Sequence, residues 1–251
     1  MAWDVDSWRE ERDRQRAAEA EQQRKAFRLR ETIIVTIALI LLIVVLVPVF
    51  RKRSEQDLSR MSAQNLMQWG IALNLYMIEN DNTLPEVGPN QVDPELEAAW
   101  YNGLPPYLSQ TPLGKLSRLE VDGQNPSLWV DPSVPPDQVP RYVDYPFTYA
   151  MNRYLQPSLE FPAARIFDLQ NPGAVVFLTE VLGTDPGALP ADVRFRHGDK
   201  EPRAHVLFTD GHVELVHSDD LVGNPAALAP ETELAAVSWA PFVGAPVPET
   251  E

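Results

Sequence analysis

The four histidines of the chain, His197, His205, His212 and His217, fall within 21 residues, and the chain has no cysteine. Asp210-Gly211 sits between two alternating apolar runs, His205 to Thr209 and His212 to Val216. It reads as a two-residue hairpin turn with positive φ at both positions. In that register Val206 and Phe208 face Val213 and Leu215, while His205, His212 and Glu214 share the opposite face. Two imidazoles and a carboxylate are a zinc donor set. Loop oxygens of Asp185, Asp199 and Asp210 would suit calcium instead. The spacing is generic and lacks a helical His-Glu-x-x-His. The expectation is therefore a chain without cofactor, zinc or calcium being the alternatives. Thiol chemistry, disulfides and Cys-held metals are excluded outright.

Nucleophilic catalysis finds less support. There is no Gly-x-Ser-x-Gly elbow, and His217-Ser218-Asp219-Asp220 reads as a solvated turn. Glu180, at the end of an apolar run, could be half of a carboxylate pair, but nothing identifies its partner. Phosphate-loop and dinucleotide motifs are absent. His197 and Asp210-Gly211 are better explained structurally: Gly for the turn, Asp for turn hydrogen bonds, His tying the preceding loop to the hairpin. The expectation is a protein that is not an enzyme.

The elements that must position these residues follow from periodicity. Ala174 to Leu178 is an uninterrupted apolar run and predicts a core strand. Upstream, Leu58, Met61, Leu66, Trp69, Leu73 and Tyr76 mark one face of a helix, and Met67, Ile71, Leu75 and Ile78 mark a second. A helix apolar on two sides wants two partners, its own domain and something else. Asn80-Asp81-Asn82 and Pro85 stop it. Residues 86–146 are Pro-rich and loop-heavy, and residues after Asn224 are rich in Ala and Pro, which predicts an extended or disordered end.

Thr32 to Phe50 is nineteen residues without a charge. As a helix it would be roughly 28 Å long, close to the ~30 Å hydrocarbon core of a bilayer. Arg51-Lys52-Arg53 follow directly, which favours an anchor over a cleaved signal. Eight basic residues before the run against four after it orient the N-terminus to the cytoplasm. Residues 1–53 carry 11 basic and 8 acidic side chains, residues 54–251 carry 10 and 28, and the whole chain is at −15. With a pI near 4.7 and no basic stripe, no nucleic-acid partner is expected. The reading is a single-pass inner-membrane protein with its C-terminal domain in the periplasm. It divides into a charged cytoplasmic helix (1–30), a transmembrane helix (31–53), a juxtamembrane helix (54–85), an α+β head (86–223) and a tail (224–251).

Several phrases resemble the type IV pilin and pseudopilin family. Ala26-Phe27-Arg28-Leu29-Arg30-Glu31 is similar to the prepilin cleavage motif, with Ala26 in the place of the usual Gly and two Arg beside the scissile bond. Pro48 stands where pilins carry a kinking Pro. Tyr149-Ala150-Met151-Asn152 resembles a Tyr-x-x-Asn phrase, with Asp131-Pro132-Ser133 in place of a Cys-Pro-Ser phrase. Arg196-His197-Gly198 and Asp210-Gly211-His212 resemble the branch with a C-terminal His–Asp-Gly motif, at a longer spacing here. The resemblance implies processing before Phe27, with Glu31 meeting a neighbouring subunit's N-terminal amine; the alternative pairs Glu31 with Arg28 or Arg30. It implies an α+β pilin-like fold, a long transmembrane helix packed in its distal half on a small antiparallel sheet. It also implies a structural role in a secretion or filament-assembly system, with other pilin-like subunits or itself as partner. The other readings are an unprocessed, membrane-anchored periplasmic binding module and, last, a metal-dependent enzyme.

Overall fold

In the computed structural model the chain divides into two units, Met1–Ser54 and Glu55–Glu251. The described residues are 36, 39–44, 47, 55–116, 127–139, 145–158, 162–198, 200–221 and 237–241. In the first unit, residues 36, 39–44 and 47 are helical, and Leu39 to Val44 are exposed. Among the described residues no helix is long and apolar enough to cross a membrane. This corrects the expected transmembrane helix, the fold class built on it, and the single-pass inner-membrane placement. Residues 1–30, and with them Ala26 and Phe27, lie outside the described residues, as do Glu31 and Pro48.

The second unit opens with helix α1, residues 55–79. Its buried positions Ser62, Leu66, Trp69, Leu73 and Met77 recur at three or four residues and form one stripe. Asp81 and Asn82 take left-handed φ values of 52° and 61°, which short polar side chains tolerate, and the Asn82 amide bonds back to the Met77 carbonyl at 2.8 Å.

Among the described residues five strands follow: β1 (Phe147–Asn152), β2 (Val176–Gly183), β3 (Gly187–Ala188), β4 (Arg203–Phe208) and β5 (Val213–His217), ordered β3-β1-β2-β4-β5. The sheet is mixed: β3 pairs with β1 in parallel, and the other pairs are antiparallel. Short helices α2 (Trp100–Gly103) and α3 (Ser218–Leu221) lie in the connections. Trp69 from α1 meets Trp100 from α2 at 5.7 Å and Trp129 at 4.9 Å between ring centroids, so the Pro-rich region contributes the aromatic core beside the helix.

β2 differs from the expected strand at both ends. It begins at Val176, whose amide donates to the Ser238 carbonyl while the Ser238 amide donates to the Ala174 carbonyl, and it continues through Glu180 to Gly183. Residues 237–241 are not a free end: Trp239 is buried and its indole N–H donates to the Leu221 carbonyl at 2.8 Å. Asn152 donates to both the Val176 and Trp239 carbonyls, at 2.9 and 2.7 Å, locking that segment to the sheet. A buried indole and an asparagine amide hold these five residues; the rest of the Ala- and Pro-rich segment lies outside the described residues.

Candidate functional site

The expected zinc face is not formed, and the reason is one residue of register. The β4–β5 loop closes with the Phe208 amide donating to the His212 carbonyl and the Gly211 amide to the Phe208 carbonyl, both at 2.9 Å. Thr209, Asp210 and Gly211 therefore form a three-residue loop in which Gly211 alone takes positive φ, 92°. The register becomes His205↔Leu215, Val206↔Glu214 and Leu207↔Val213. A one-residue slip moves every side chain to the other face. His205 turns inward, while Glu214 and His212 are exposed. His212 stacks on Phe208 with centroids 4.5 Å apart and bonds to Asp210. His217 lies beside Asp219 and Glu201.

What the fold brings together instead is Glu180, His197 and His205, and among the described residues this is the one cluster of three or more His or acidic side chains whose ligand atoms converge, all within 4.8 Å of one another. Asp185 is held by Arg153 and Asp210 by His212, so the two described calcium candidates are engaged separately, and Asp199 lies outside the described residues. Glu180 comes from β2 and His205 from β4. His197 precedes β4, held by reciprocal backbone bonds with Arg203 at 3.0 and 2.8 Å. Gly198 beside it takes φ 92°, and a Cβ there would lie 2.1 Å from the Glu201 carbonyl oxygen.

Glu180 is fully buried. Its Oε1 accepts from the Ser62 hydroxyl at 2.6 Å and lies 2.9 Å from His197 Nε2 and 3.0 Å from His205 Nδ1. The Tyr149 hydroxyl meets Ser62 Oγ at 3.0 Å, and Ser59 Oγ lies 3.4 Å from His205 Nε2. Glu180 Oε2 is buried and makes no hydrogen bond among the described residues. Burial pushes this carboxyl upward, but the hydrogen bonds and charges of the two imidazoles overcome that and hold it at about 2. Tyr149 is driven well above its ordinary range, first by burial and then by the neighbouring Asp131 and Glu180 charges.

Asp131 is also buried. Its carboxylate accepts from Arg196 at 3.0 Å and from the Ser133 amide at 2.8 Å. Burial and the Glu180 charge raise it, against the pull of Arg196. Ser59 and Ser62 tie helix α1 to the Glu180–His197–His205 group, and the Asp131–Arg196 pair is buried nearby.

The motif residues share a structural logic. Gly211 packs against α1, where a Cβ would lie 2.4 Å from Asn74 Nδ2, and a Cβ on Gly70 would lie 2.6 Å from the Gly211 carbonyl oxygen. Asp210 accepts from the His212 amide at 3.1 Å, as a turn aspartate does. Sequence reasoning missed Ser62, Tyr149, Asp131 and Arg196 as members of one cluster, and left Glu180 without a partner. The available signals were a serine on the apolar stripe of a helix and an acid inside an apolar strand. No family model matches the chain, and no curated protein or solved structure matches it.

Proposed function

We propose that the protein is a pilin-like structural subunit of a secretion or filament-assembly system, working by helix–helix packing with other pilin-like subunits or with itself. The observation that carries this reading is the outer face of α1. Met67, Ile71, Leu75 and Ile78 are 52%, 56%, 40% and 74% exposed, while the opposite stripe is buried against the head. A helix serving only its own core would carry polar residues there. The family phrases Tyr149 to Asn152 and His197…Asp210-Gly211 do structural work in the head, which agrees with a structural protein.

Sedimentation of the full chain, with chemical cross-linking across α1, tests it. The wild-type chain self-associates or cross-links to a pilin-like subunit, and Ile71→Asp with Ile78→Asp abolishes this without changing near-UV circular dichroism. A wild-type chain that stays monomeric and forms no such cross-link rejects the reading.

A second reading, a ligand-binding module, has one feature in its favour: an open cleft of about 650 Å³ lined by Tyr76, Glu79, Glu97, Tyr107 and Lys115 among others. Tyr107 donates to Glu79 at 2.8 Å across it. Its acidic lining suits a small cationic ligand. Saturable binding of such a ligand, lost in Glu79→Gln, would favour it over assembly.

A further inference from the structure

The hydrogen bonding of Glu180 is lopsided. An ionised carboxylate offers about four lone-pair sites, two on each oxygen. Here three donors crowd Oε1, while Oε2 is buried and has none among the described residues. For an ionised Glu180, both His197 Nε2 and His205 Nδ1 must carry protons aimed at the same oxygen. Each ring can do so as a neutral tautomer, and the two rings, 4.4 Å apart between centroids, aim both N–H groups at that one oxygen. One cation between the three atoms would replace those protons and let each nitrogen give its lone pair.

We propose that Glu180, His197 and His205 form a buried metal site for a late first-row divalent ion, zinc above all. Two imidazoles and one carboxylate are a zinc donor set, and imidazole nitrogens select against magnesium and calcium. Four-coordinate zinc with bonds near 2.05 Å sets its ligand atoms about 3.3 Å apart. The two Glu180–imidazole contacts, 2.9 and 3.0 Å, lie within a few tenths of an ångström of that edge, and all three ligand atoms lie within 4.8 Å of one another. Ser62 Oγ, 2.6 Å from Oε1, offers an oxygen for the fourth corner.

The outer shell is in place as well. Ser59 lies beside the remaining nitrogen of His205, and Tyr149 orients Ser62. Asp131 adds a second buried negative charge, which Arg196 balances. His197 and His205 are only 7% and 6% exposed and Glu180 is closed off entirely, so the ion would act as a staple of β2, β4 and the His197 loop rather than as a catalyst. This site is independent of the assembly role proposed above.

The full chain is stripped with a chelator and titrated with Zn²⁺ by calorimetry, and with Co²⁺ by visible absorption. The expected result is one equivalent bound, proton release on binding, a tetrahedral Co²⁺ spectrum and a raised Tm. His197→Gln and His205→Gln should each weaken Zn²⁺ binding by more than the roughly 10–100-fold that losing an outer-shell partner costs. His212→Ala, outside the site, should leave it unchanged. If the glutamine variants do not fold, the wild-type stoichiometry and Co²⁺ spectrum still decide. Absence of binding, an octahedral Co²⁺ spectrum, or affinity retained in folded glutamine variants overturns the proposal.

Discussion

Gly211 and Asn74 approach so closely that a β-carbon on the glycine would sit 2.4 Å from the asparagine side-chain nitrogen. The tip of the β4–β5 hairpin therefore rests on α1, and the same glycine supplies the positive φ that ends the three-residue loop. Gly211→Ala meets both constraints at once. Left-handed backbone costs a non-glycine residue about 1–2 kcal/mol, and the clash adds to it. Equilibrium denaturation should show a loss of about 2–4 kcal/mol. A loss below about 0.5 kcal/mol, the range of a neutral surface change, would mean that the hairpin does not need this contact.

The hairpin also shows how far the sequence speaks. Asp210-Gly211 marked the turn, and the alternating runs marked both strands. The loop length was not readable, because a two-residue turn and a three-residue loop with a left-handed glycine share the same letters. That single residue set Glu214 opposite Val206 and so carried it off the face of His205, while β4 is buried on both faces. The two faces of α1 were legible in part: Leu66, Trp69 and Leu73 are buried and Met67, Ile71, Leu75 and Ile78 are exposed, but Met61, expected on the inner face, is 42% exposed. Ser62 and Glu180 lie 118 residues apart, so no local spacing could join them. Asp131 met Arg196 across 65 residues for the same reason.

Ser62 is the cluster's link to α1. Ser62→Ala removes a hydroxyl that donates to a buried carboxylate and receives the Tyr149 hydroxyl. A hydrogen bond to a charged group contributes about 1.5–3 kcal/mol. Thermal and denaturant unfolding of metal-free protein should show a loss in that range. Ser59→Ala, at the part-buried 3.4 Å contact, should cost less. Equal losses in the two variants would contradict the central place given to Ser62.

Acid titration of chelator-treated protein separates the two buried carboxylates by sign. Glu180 falls from 4.5 to about 2 on folding. Its contribution is therefore complete above about 4.5 and is lost as pH falls through about 2. By the shift alone it is on the order of 3 kcal/mol. Asp131 is raised above 3.8 by burial first, then by Glu180. The folded state then takes up its proton before the unfolded chain does, so acidification through that window adds stability. The stability gap between wild type and Glu180→Gln should narrow from pH 6 toward pH 2. Wild type should gain on Asp131→Asn as pH falls through the Asp131 window. A pH-independent gap for Glu180→Gln would show that the carboxylate is not held ionised by its imidazoles.

The two faces of α1 make opposite predictions that one pair of substitutions can separate. Trp69 is fully buried between Trp100 and Trp129. Truncating a buried tryptophan costs about 3–5 kcal/mol. Trp69→Asp adds an unpaired buried charge, so the head should fail to fold, visible as loss of near-UV circular dichroism. Ile78 is 74% exposed on the same helix. Ile78→Asp should leave stability within about 0.5 kcal/mol while weakening any contact made through the outer stripe. The assembly reading therefore needs Ile78→Asp to reduce sedimentation-detected association in a chain with wild-type Tm. If Ile78→Asp instead lowers Tm as Trp69→Asp does, the outer stripe belongs to the fold of the chain itself and the proposed docking face is lost.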